Sequence, residues 1–217
     1  MEFERIYKKS IQLLEKESCE YAVCGGVAAM LYRHEPRFTA DIDFLISGPH
    51  SLVDFATDTI EAFGLKANVL RMSELTNSPM MHKKTSPIAV VVGRSERDKN
   101  ATGLDFLMPV QGWSKNALTR AKDNIISLHN VSAPFLTAED VLLAKFSALT
   151  GVGKRREKDW SDVVSIVQSG RELDLGYLGG EIDHLKLSIP MELERELPKA
   201  VAVALKRNRT QSRRRSG

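Results

Sequence analysis

Val23-Cys24-Gly25-Gly26, followed after a short apolar run by Arg37-Phe38-Thr39-Ala40-Asp41-Ile42-Asp43-Phe44, is the stretch on which the reading of this chain turns. Tyr21 to Cys24 is a short apolar segment that reads as a strand. It runs into two glycines and then Val27-Ala28-Ala29-Met30-Leu31-Tyr32, which suits a helix. Glycines at a strand-to-helix turn let the backbone approach a phosphate, and the helix N-terminus adds N–H groups and a positive dipole end. The same pair also suits an ordinary tight turn. Ala40 to Ser47 reads as a second strand, closed by Gly48-Pro49. Side chains alternate along a strand, so Asp41 and Asp43 leave one face while Ile42, Phe44 and Ile46 leave the other and can anchor a core. Two carboxylates this close repel unless a cation lies between them. Oxygen ligands at that spacing suit Mg²⁺, which fills its remaining positions with water and substrate phosphate. A D-x-D pair alone is common on strand surfaces; following the glycines, it becomes specific.

Working outward, Phe3, Ile6, Tyr7, Leu13 and Leu14 recur at helical spacing over residues 3–16. Ser51 to Phe63 reads as a helix, with Asp54 completing a capping box on Ser51 and Gly64 as the stop. Ile88 to Val92 is an apolar, β-branched strand suited to burial on both faces. Gly103 to Leu107 is another, ended by Pro109, and Ile125 to His129 a further one. Asp105 sits inside Gly103-Leu104-Asp105-Phe106-Leu107, where an acid is costly unless paired or metal-bound. If that strand lies beside residues 40–47, Asp105 can complete the site as metal ligand and general base. If it is an edge strand, Asp105 faces water.

Beyond Pro134 the pattern turns helical. Thr137 precedes Glu139 and Asp140 in a capping-box start, and Gly151-Val152-Gly153 ends that helix. A second helix spans about 157–168 and stops at Gly170, Asp174 caps a short one, and 191–205 forms a last one interrupted by Pro198. The order predicts an α/β core over 1–130, a helical C-terminal part over 131–205 and a basic, disordered tail over 206–217. Lys145 lies on the apolar stripe of its helix, one turn after Val141 and one before Leu149, and Asp159 heads the stripe Val163–Ile166. On residue chemistry alone Lys145 either points its ammonium into a cleft or pairs with Asp159.

With Asp41, Asp43 and the glycines read, the chain resembles the DNA-polymerase-β-like nucleotidyltransferase superfamily, whose signature is h-G-[GS] followed by D-h-[DE]-h. Arg37-Phe38-Thr39-Ala40 before the acid pair matches the R-x-T/S-x-D-h-D form of the AbiEii/AbiGii-type toxin and minimal nucleotidyltransferases. Lys145 followed by Arg155-Arg156-Glu157-Lys158-Asp159 resembles the K-x9-R-x(2,3)-D element of the same proteins. The resemblance covers about residues 20 to 170. It implies a nucleotidyltransferase fold, with a mixed central sheet flanked by helices. Asp41, Asp43 and Asp105 would be catalytic and would hold Mg²⁺ or Mn²⁺. Gly25, Gly26, Arg37, Thr39, Lys145 and Asp159 would contact a nucleoside triphosphate, with Lys145 on the phosphates and Asp159 orienting it or binding substrate. The acceptors offered by such proteins are RNA ends (tRNA in the toxin branch), proteins and small molecules such as aminoglycosides; an antitoxin is an expected partner. A nucleotidyltransferase fold that binds nucleotide or partner without catalysis is the alternative.

Composition sets the remaining bounds. With 42% hydrophobic and 27% charged residues in 217, the chain can bury a real core, and no apolar run is long enough for a membrane helix. No signal peptide is visible, and Cys19 and Cys24 read as two reduced thiols, so a cytoplasmic, membrane-free protein is expected. From Lys199 onward the chain carries basic residues and no acid, which leaves the first 198 residues at about −4 against a net +3 overall. A tail of this kind suits nucleic acid or stays a solvated end. Gly151-Val152-Gly153-Lys154 lacks the earlier glycine and the Ser/Thr of a phosphate loop, and the five histidines have no zinc spacing.

Overall fold

The computed structural model describes residues 2–48, 51–76, 85–149 and 156–187, with single positions between 192 and 203. The expected stop at Gly151–Gly153, most of the helix at 191–205 and the basic tail lie outside the described residues. The elements run α1 (Glu2–Lys16), β1 (Glu20–Cys24), α2 (Gly25–Tyr32), β2 (Asp41–Ser47), α3 (Leu52–Ala62), β3 (Lys66–Arg71), α4 (Met72–Thr76), β4 (Ile88–Arg94), β5 (Gly103–Leu107), α5 (Ser114–Ala121), β6 (Ile125–Leu128), β7 (Val131–Pro134), α6 (Ala138–Leu149), α7 (Arg156–Val167) and α8 (Leu175–Leu185). Two compact units result. One comprises Met1–Ala28 and Phe38–Thr137, the other Ala29–Arg37 and Ala138–Gly217.

The first unit is built on a five-stranded mixed sheet in the order β1-β2-β5-β4-β3. β2 runs parallel to β5; the other three pairings are antiparallel. The sheet forms because β2, β4 and β5 are apolar enough to be covered. Ile42, Phe44, Leu45 and Ile46 are fully buried, as are Val91, Leu104 and Phe106. Aromatic rings tie α1 and α3 to the sheet: Tyr7 stacks on Phe44 and Phe44 on Phe106, with centroids 6.4 and 5.8 Å apart. Phe55 meets Phe106 edge-on at 5.9 Å. A second, two-stranded sheet pairs β6 with β7. Its turn is made by His129 and Asn130, both at positive φ (51° and 60°), as the right-handed twist of a tight hairpin requires.

α3 departs from expectation at its start. Ser51 is the N-cap, but its side chain makes no capping hydrogen bond. The stop holds: Gly64 takes φ 74°, and its N–H donates to the Glu61 carbonyl at 2.8 Å. Cys19 and Cys24 are buried thiols outside any disulfide.

The second unit is helical. α6 packs on α7 and α8 through Val141, Leu142, Phe146, Val163, Ile166, Leu178 and Ile182, all essentially buried. Asp174 caps α8, accepting from the Tyr177 N–H at 2.9 Å. Two acids of α6 fasten the same helix end: the Tyr177 hydroxyl donates to buried Asp140 at 2.7 Å, and the Asp174 N–H donates to Glu139 at 2.8 Å. Among the described residues no helix is long and apolar enough to cross a membrane.

Candidate active site

The parallel pairing of β2 with β5 sets Asp43 directly beside Asp105 and Asp41 beside Gly103. Three carboxylates are thereby gathered on neighbouring strands from positions the alternation of β2 and the apolar setting of Asp105 had singled out. Asp43 is 6% exposed and Asp105 2%, whereas the Asp41 side chain is 37% exposed. Burying carboxylates side by side is costly unless each finds a partner. The Gly26 N–H, at the start of α2, donates to Asp43 Oδ2 at 3.2 Å. In this arrangement the diglycine serves the carboxylate directly. Gly25 sits at φ 56°, and any β-carbon there would collide with the Asp43 carboxylate. Only glycine fits both the turn and the contact.

Asp105 is partnered by Arg94, a residue the sequence pattern did not single out. Arg94 ends β4, next to Gly93, which lies opposite Leu104 of β5. Its guanidinium forks onto Asp105, with Nη1 on Oδ1 and Nη2 on Oδ2, the latter at 2.9 Å. Nη2 also reaches Asp41 Oδ2 at 3.4 Å. The hydrogen bond to Asp105 above all, with the charges of Asp105, Asp41 and Asp43, holds Arg94 protonated against the cost of its burial. Gly103 gives this cluster its room: a β-carbon there would run into Asp41 Oδ1 and the Arg94 guanidinium. The one signal in sequence was indirect. A buried Asp105 demands a cation, and Arg94 closes the apolar run of the preceding strand.

The donor chemistry of Asp41, Asp43 and Asp105, hard carboxylate oxygens on adjacent strands, fits Mg²⁺ or Mn²⁺. In this geometry Asp105 and Asp41 face the guanidinium while Asp43 accepts from the Gly26 N–H, and no three His, Cys, Asp or Glu among the described residues converge to hold one ion. Thr39 stands two residues before Asp41, its hydroxyl 3.4 Å from the Asp41 carbonyl.

The remaining residues singled out from sequence gather in the helical unit around Asp162, which sequence reasoning passed over. Asp162 has no exposed side-chain surface. Arg37 grips it with two prongs, Nε to Oδ1 at 2.7 Å and Nη2 to Oδ2 at 2.8 Å. Arg33 adds a bond to Oδ1 at 2.6 Å. Lys145 lies 2.9 Å from Asp162 and 2.6 Å from Asp159, so the anticipated Lys145–Asp159 pair is present within a larger cluster. Burial alone would raise the Asp162 pKa, but Arg37 and Lys145 outweigh it and hold the carboxyl at about 2. For Lys145 burial acts downward, and the two aspartates more than reverse it. Arg155 lies outside the described residues.

The sequence profile of the family described as the nucleotidyl transferase AbiEii toxin, of type IV toxin–antitoxin systems, matches residues 13–186. That is most of the chain, and the chain belongs to this family of nucleotidyltransferases. No curated protein sequence matches it. Among solved structures it is similar to an antigenic nucleotidyltransferase-like protein from Paracoccidioides brasiliensis (16% identity, 76% of this chain and 75% of that one, TM-score 0.44). It is similar also to the antibiotic-resistance factor ANT(2'')-Ia (11% identity, 98% and 94%, TM-score 0.45) and to JHP933 from Helicobacter pylori (13%, 99% and 95%, TM-score 0.44).

Proposed function

We propose that this chain transfers a nucleoside monophosphate from a nucleoside triphosphate to an acceptor hydroxyl, in a reaction dependent on Mg²⁺ or Mn²⁺. The observation that carries this reading is the β2–β5 register, which sets Asp43 against Asp105 with Asp41 beside them. Asp41, Asp43 and Asp105 would hold the divalent ion, which supplies neutralisation of phosphate charge during in-line displacement. Asp105 acts as general base: its carboxylate takes the proton of the acceptor hydroxyl. The freed oxygen attacks the α-phosphorus, and pyrophosphate leaves. The Gly26 amide keeps Asp43 oriented throughout. The nucleotide-binding role of Gly25, Arg37, Thr39, Lys145 and Asp159 rests on the family pattern; within its own unit Lys145 is oriented by Asp159 and Asp162. The acceptor class favoured is RNA, tRNA included, because the C-terminal residues from Lys199 carry cationic charge with no acid. The family's type IV toxin–antitoxin description supports an antitoxin partner.

The test is incubation of the full chain with each labelled triphosphate, Mg²⁺ and total RNA or protein extract. Label is expected in RNA, with Asp43→Asn lowering the rate on the order of 10²- to 10³-fold at unchanged thermal stability or better. One observation favours a second reading, a protein that binds nucleotide without transferring it: Arg94 already neutralises Asp105 and Asp41. Nucleotide binding with no label in any acceptor would establish that reading and end the first.

A further inference from the structure

Asp105 and Arg94 pose a problem that the proposed chemistry leaves open. A nearly buried carboxylate beside Asp43 needs positive charge at all times. In this structure that charge is Arg94, and its fork occupies both oxygens of Asp105 while touching Asp41. The same oxygens cannot serve a divalent ion while the fork is closed, because guanidinium and metal would repel across a few ångströms. Arginine does not shed its proton in proteins, so the conflict is relieved only by movement. Movement is open to it: the Arg94 side chain is 41% exposed, and it stands at the end of its strand. Its Nη1 is otherwise held by the adjacent Gly93 carbonyl at 2.8 Å.

We propose that Arg94 is a displaceable counter-ion, which neutralises Asp105 and Asp41 in the free protein and yields them when a divalent cation enters. The proposal rests on reading these carboxylates as a metal site. Its consequence is coupling. A metal ion arriving alone must break the fork and leave the guanidinium without a carboxylate. A metal ion arriving with a triphosphate brings oxygens that a planar, two-pronged cation binds well. Metal and nucleotide therefore strengthen one another's binding, and by linkage the effect is reciprocal. Gly103 belongs to the same device, since a side chain there would fill the space the guanidinium and Asp41 share.

The experiment measures Mn²⁺ binding to the full chain by electron paramagnetic resonance of the free ion, with and without a triphosphate carrying an α,β-methylene bridge. In Arg94→Met, Mn²⁺ alone should bind about tenfold more tightly than to wild type, and the further tightening caused by nucleotide should shrink. Arg94→Lys keeps the charge but loses the fork, and should fall between the two. If Mn²⁺ affinity in Arg94→Met equals or falls below that of wild type, the proposal is overturned. Should Arg94→Met fail to fold by circular dichroism, Arg94→Lys carries the test: tighter Mn²⁺ binding than wild type supports the displacement, equal or weaker binding refutes it. Wild type that binds no Mn²⁺ even with nucleotide would instead remove the metal-dependent reading of the site.

Discussion

Asp162 is the most heavily charged single point among the described residues of the helical unit, with two arginines and a lysine on one buried carboxylate. Its folded pKa of about 2 lies below the ordinary value of 3.8. A depressed carboxyl stabilises the fold above its unfolded pKa and loses that contribution as pH falls through the folded one. The window is therefore about pH 4 down to about pH 2, and the contribution is about 2 kcal/mol. Removing the charge leaves three cations facing one another, so Asp162→Asn should cost about 3–5 kcal/mol at pH 7. The gap in melting temperature between wild type and mutant should then narrow between pH 4 and pH 2; a constant gap would show that the charge is not what matters. At this scale the sequence was legible where chemistry follows local alternation. Asp41 and Asp43 share a face because they are two apart on a strand, and Asp105 stood out because its neighbours are apolar. Arg94, Arg33 and Asp162 were not legible. Their partners lie 11 to 129 residues away, and no local period encodes such a meeting.

α1 is fixed to the sheet through Tyr7, whose ring stacks on Phe44 while its hydroxyl, among the described residues, finds no hydrogen-bond partner. Burial pushes that phenol up to about 12. A buried hydroxyl left unsatisfied costs about 1 kcal/mol or more. Tyr7→Phe keeps the ring contacts and removes the cost, so the melting temperature should rise by about 2–4 °C. A fall would mean that the hydroxyl is satisfied in solution. The elements read from sequence were those with an apolar run or stripe or a clear cap or stop: α1, β1, α2, β2, α3, β4, β5, β6, α6, α7 and α8. The missed ones explain themselves. β3 is an outer strand with mostly exposed or half-exposed residues, α4 is five residues long, α5 is polar on its open side, and β7 is four residues ending in proline. The capping box at Ser51 was a pattern that the side chain does not use.

Over the whole chain, charge divides more sharply than structure. Residues 206–217 lie outside the described residues, and they bring six cations with no acid to a body at about −3. Deleting them should weaken RNA binding at low salt and flatten the slope of log affinity against log salt by up to about 4. Identical slopes for the full and shortened chains would remove the support for an RNA acceptor. The division into units has a different consequence, one for the order in which the protein is made. All of β1, β2, β4 and β5 has been synthesised by Leu107, so the carboxylate cluster can form while the ribosome is still at work. Arg33 and Arg37 are made early too, yet Asp162 emerges more than a hundred residues later. Until then neither arginine has that carboxylate to pair with. A fragment begun at Ala138, although it holds α6, α7 and α8, would be born without the two guanidinium groups that the buried Asp162 needs. The helical unit is thus contiguous in space and divided in time, and its buried cluster cannot close before Asp162 has been made.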